Sequence, residues 1–152
     1  MITRNGVVAA VPPDHRDQFV RLAHEVSFPI GTRIFEEGGP ADRFWIISSG
    51  GVALDVHVPG RRAPTVDTLG PGDLLGWSWL IPPCRWHLGA EAVSLVRAEE
   101  FDAAMVRALC LKDPVLGSAL ATYVAGVVGR RLRSTRNRLL DLYGPYGSGF
   151  RS

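Results

Sequence analysis

The chain has 152 residues, 46% of them hydrophobic and 21% charged, with a formal net charge of +2. That length suits one domain with a proper core, and so small a charge does not by itself imply a polyanionic partner. Cys84 and Cys110 form no CxxC and lack any paired-histidine spacing, which excludes a zinc or redox motif and leaves them as reduced thiols.

Residues 1–12 read as an N-terminal arm. Its apolar VVAAV is too short for a signal sequence or a membrane span, so a cytoplasmic protein is expected. From Pro13 to Val26, Phe19, Leu22, Ala23 and Val26 recur at helical spacing behind an initial proline and Asp14, which predicts an amphipathic helix. Between Phe28 and about Leu95 the texture changes to short Ile-, Val-, Leu- and Trp-rich runs: TRIF, RFWIIS, VALDVHV and TVDTL. Glycine-bearing turns separate them at roughly ten-residue intervals, the pattern of an antiparallel sandwich or roll. In VALDVHV the valines and Leu54 take one face, which leaves Ala53, Asp55 and His57 on a solvated one.

After Leu95 the helical texture returns, first over Asp102 to Leu111. Asp113-Pro114 then opens a second helix as cap and first residue, and nothing breaks it before Gly144-Pro145. That run, about 114–142, spans about 40 Å. Along it Ala121, Ala125, Val128, Leu132, Thr135, Leu139 and Leu142 step by alternating fours and threes, a heptad seam with one polar position. A second edge of Leu116, Leu120, Val124 and Val127 is free to lie on the β-domain. One face over means a partner, and a twin helix is the simplest. Arg130, Arg131, Arg133, Arg136 and Arg138 flank or oppose the seam, as a solvated face with ion pairs to the β-domain or as a contact for an acidic partner, nucleic acid included. Residues 144–152 read as a flexible tail.

The densest stretch runs from Gly70 to Leu88, GPGDLLGWSWLIPPCRWHL, and holds three of the four tryptophans. It predicts a strand end, a glycine, a one-turn helix, a Pro-Pro break and then Arg85. Backbone N–H groups at a helix start beside an arginine suit an anion, most naturally a phosphate. Enzyme readings fail: Ser78 sits in GWSWL, which lacks the final glycine of a nucleophile elbow, and His15, His24, His57 and His87 show no ligand spacing. Lys112 is the sole lysine, so no P-loop is present. No catalytic residue and no metal ligand is assigned.

The segment IGTRIFEEGGPADRFWIISSGGV resembles the first half of a cyclic nucleotide-binding domain of the Crp/Fnr (catabolite activator) type, through Gly31, Ile34, Phe35, Gly38, Ala41, Asp42, Ser49, Gly50 and Val52. LGPGDLLG resembles the approach to that family's phosphate-binding cassette, and RRLRSTRNRLLDLYG the end of its dimerisation helix. The resemblance covers residues 13–143. It implies a mainly β domain, an antiparallel β-roll (jelly roll) with flanking helices, dimeric through its long C-terminal helix. In the family's regulators a DNA-binding domain would begin near Gly144, so a stand-alone sensor domain without a DNA-reading part is expected.

The resemblance places Gly76, Trp77 and Ser78 where backbone N–H groups meet the cyclic phosphate, Arg85 as the phosphate's arginine, and Thr135 where the base is met. Trp77 stands where the family has the glutamate that binds the ribose hydroxyl, and Trp86 and His87 follow the arginine in place of a small residue. Losing a charged hydrogen bond costs on the order of 1.5–3 kcal/mol, tenfold to more than a hundredfold in affinity. Three pocket states follow: weak or re-posed binding of cyclic AMP or cyclic GMP, binding of another phosphate-bearing ligand stacked on Trp77 or Trp86, or a cavity filled by the indoles with Arg85 held by a carboxylate such as Asp73. The expected function is a non-enzymatic regulatory module acting as a homodimer on a protein partner. The alternative is transcription regulation through DNA, by the arginine helix or a separate chain.

Overall fold

A computed structural model describes residues 6–143. The expected tail, 144–152, lies outside the described residues. Two short helices, α1 (Val7–Ala10) and α2 (Pro13–Val20), precede eight strands: β1 (His24–Phe28), β2 (Arg33–Phe35), β3 (Arg43–Ser49), β4 (Val52–Asp55), β5 (Thr65–Leu69), β6 (Leu74–Leu75), β7 (Gly89–Ala92) and β8 (Val96–Asp102). A 3-10 turn, Ser78–Leu80, lies between β6 and β7, and α3 (Ala103–Lys112) and α4 (Pro114–Tyr143) close the chain. The strands form two antiparallel sheets in the orders β1-β8-β3-β6 and β2-β7-β4-β5, the mainly β roll with flanking helices that the turn spacing predicts.

The core begins earlier than expected. Residues 6–12 are not an arm: Val7, Val8 and Val11 are buried, and α1 packs against α4. The helix from Pro13 stops at Val20, six residues short of Val26. Val26 lies in β1 and pairs with Ala98, because β8 needs a neighbour for its outer backbone groups. β8 itself corrects the expected return to helix after Leu95: it buries Val96, Ala98 and Phe101 between β1 and β3. A stack of aromatic rings joins helix to sheet, with Phe101 centred 4.7 Å from both Phe19 and Phe44, and Phe44 4.7 Å from Trp79.

Asp55 is the other correction. It was expected on a solvated face, but all four residues of β4 are buried. Its carboxylate accepts two bonds from the Arg33 guanidinium, at 2.5 and 3.1 Å, and this pairing raises the Arg33 pKa further. Gly89 makes room for the pair, since a Cβ there would collide with Arg33 and Asp55. His57 lies past the end of β4 and is exposed.

Asp113 fixes the α3–α4 corner. Its Oδ1 accepts from the Leu116 N–H at 3.2 Å, the cap that the Asp-Pro pair predicts, while Oδ2 accepts from His15 at 2.6 Å and from Gln18. The His15 bond, with the cap, holds this carboxyl below its usual range. Along α4, Leu116, Leu120 and Val124 are buried against the domain, as the second apolar edge predicts. The seam faces away from it: Ala121, Ala125, Leu132, Thr135, Leu139 and Leu142 are exposed and Val128 is half-buried.

Candidate functional site

The Gly70–Leu88 stretch folds in the expected order of strand, short turn and loop, and Gly76 makes the corner. Its φ is +90°, a conformation that side chains with a Cβ rarely adopt. A Cβ there would also lie 2.8 Å from two ring carbons of Trp86. Glycine is therefore required twice, by the backbone turn and by the indole packed against it.

Trp86 is 6% exposed. Its ring lies nearly parallel to Phe35, 3.9 Å between centroids, with Trp45 6.1 Å away. Its backbone is stitched to the loop after β2: the Trp86 N–H donates to the Gly39 carbonyl at 2.9 Å and the Gly38 N–H donates to the Trp86 carbonyl at 2.8 Å. Beside it Ser78, buried, lies 3.1 Å from His87 Nδ1, and Trp77 stacks on the His87 ring at 5.0 Å. The half-open void lined by Phe35, Leu54, Gly76, Trp77, Ser78, Trp86, His87, Leu88 and Arg131 holds about 20 Å³. One water needs about 10–15 Å³, whereas ligand pockets run to several hundred.

Five of the seven expected ligand residues thus converge: Gly76, Trp77, Ser78, Trp86 and His87. Arg85 and Thr135 do not line the void. The Arg85 side chain is exposed and donates from Nη1 to the Gly38 carbonyl at 3.0 Å. Nor does Asp73 hold it: Arg85 closes no ion pair among the described residues, and the Asp73 carboxylate accepts from the Gly70 N–H at 2.8 Å. Thr135 is exposed on α4, one helical turn beyond Arg131.

The cation that does reach the void is Arg131, one of the five helix arginines expected as a solvated face with ion pairs to the β-domain or as a contact for an acidic partner. It falls four residues past Val127, on the same edge as Leu120 and Val124, and extending that edge by one turn would have found it. Its Nε lies 3.5 Å from Asp67 Oδ2, an ion pair without a hydrogen bond. Burial lowers the Arg131 pKa and the attraction of Asp67 offsets part of that shift. Arg138 donates to the Thr65 carbonyl at 3.3 Å, so two arginines seven residues apart hold α4 to β5.

The comparisons agree with this architecture. The family model for the cyclic nucleotide-binding domain matches residues 25–113. A CRP-like cAMP-activated global transcriptional regulator of Mycobacterium tuberculosis is 31% identical over 142 residues, 93% of this chain and 62% of that relative, so the chain spans less than two thirds of the relative's length. Among solved structures, the N-terminal domain of a transcriptional regulator from Streptomyces coelicolor A3(2) superposes with a TM-score of 0.68 at 27% identity, covering 87% of this chain and 91% of that one. The Thermus thermophilus catabolite activator protein gives 0.71 at 25% identity, over 88% of this chain and 61% of that one.

Proposed function

The chain belongs to the cyclic nucleotide-binding domain family, and on that premise we propose that it is a non-enzymatic regulatory domain whose nucleotide slot is filled by its own Trp86. The observation that carries this reading is the void of about 20 Å³ left beside an indole stacked 3.9 Å from Phe35. Trp86 takes up the space beside the Gly76 corner, where the cyclic phosphate would meet backbone N–H groups, and the arginine matched to the phosphate turns outward to the Gly38 carbonyl. The domain then works through its surfaces. Its exposed α4 seam pairs with a second copy, because six of the seven seam positions, three of them Leu, are exposed on the domain. The homodimer presents itself to a protein partner.

Calorimetric titration with cyclic AMP and cyclic GMP tests the pocket. The expected result is no saturable heat at micromolar nucleotide. Saturable micromolar binding that Arg85→Ala abolishes would overturn the reading and restore a working sensor.

A further inference from the structure

On the side of α4 opposite the seam lies a crevice that the nucleotide slot does not use. It holds about 210 Å³ between α4 and the β5–β6 segment. Asp67, Thr68 and Asp73 line one wall, Tyr123, Arg130, Arg131 and Ser134 the other, over an apolar floor that includes Val127. At 100° per residue, Tyr123, Val127, Arg130 and Ser134 point away from Ala121, Ala125 and Leu132, so pairing along the seam leaves the crevice open.

The polar groups there are unevenly committed. Asp67 accepts from the Thr68 N–H through Oδ1 and faces Arg131 through Oδ2, while Asp73 uses Oδ2 for the Gly70 N–H and keeps Oδ1 for another donor. On the opposite wall Arg131 turns its buried Nε toward Asp67 without closing a hydrogen bond, and the exposed Arg130 guanidinium closes no ion pair among the described residues. A carboxylate that reaches the outer nitrogens of the two guanidiniums would accept from both, and an ammonium would complete Asp73. Hydroxyls of Thr68, Tyr123 and Ser134 add neutral contacts, and the volume is below the ~300–1,000 Å³ of drug-sized pockets.

We propose that this crevice is a binding site for a compact zwitterion of the α-amino acid class, its carboxylate held by Arg130 and Arg131 and its ammonium by Asp73. Arg131 also lines the void beside Trp86, so an occupant that draws on its donors touches the wall of the nucleotide slot. The site does not depend on whether that slot takes a nucleotide.

The test is a titration of the full chain with L-serine followed by amide ¹H–¹⁵N spectra, with acetate and ethanolamine as single-charge controls. Saturable shifts at Thr68, Asp73, Tyr123 and Ser134 are expected, with each control binding about tenfold more weakly or less and the exposed variant Arg130→Gln losing a similar factor. Three results overturn the proposal: no shift in the crevice at millimolar L-serine, acetate as effective as L-serine (an anion site only), or unchanged binding by a folded Arg130→Gln.

Discussion

At the scale of single residues, Gly76 and Trp86 form one unit. The φ of +90° and the 2.8 Å approach to the indole make Gly76→Ala costly, about 1–3 kcal/mol for overpacking and more for backbone strain. Removing the indole relieves the steric part only. A double-mutant cycle in denaturant should therefore find Gly76→Ala less destabilising on a Trp86→Ala background, with a coupling of about 0.5–3 kcal/mol. Strict additivity would mean that the two do not touch. The motif at Gly76 was legible because a Gly-Asp turn, a glycine corner and an arginine keep their order along the chain. Arg85's direction was not, since the bond that turns it comes from Gly38, a loop 47 residues away in sequence.

Among the elements, α4 divides into a buried edge and an exposed seam. Leu132, Leu139 and Leu142 are 67%, 54% and 68% exposed, and each would gain about 1.5–3 kcal/mol from full burial against a twin helix. Light scattering on the wild-type chain should report a dimer at micromolar concentration, and Leu132→Asp with Leu139→Asp a folded monomer. A wild-type monomer, or a dimer that survives both aspartates, would count against the seam. The helical elements illustrate what periodicity can reveal. The three–four steps of α4 extend over three heptads and have no competing pattern. The Phe19–Val26 spacing lasts barely two turns, and there the demand of β8 for a partner strand decides the outcome at Val26. Strand β8 was missed because Glu99-Glu100 breaks its apolar alternation, and its identity comes from pairing with β1 and β3 on both sides.

At the scale of the whole molecule, the roll was readable from turn spacing, while the state of its pocket was not. Three tryptophans near a cassette are compatible with stacking on a ligand or with replacing one, and the contacts of Trp86 with Phe35 and Gly76 favour the second. No helix among the described residues is long and apolar enough to cross a membrane. On the proposed reading the domain has a slot filled by Trp86, a helix face for a second copy and a polar crevice behind it. The most direct test of the filled slot is the thermal unfolding of Trp86→Ala with and without indole. Losing the ring should cost about 3–5 kcal/mol and leave a flat apolar cavity, so indole should raise the melting temperature of the variant and leave the wild type unchanged. A variant as stable as the wild type and indifferent to indole would contradict the account, because Trp86 would then not be what fills the pocket.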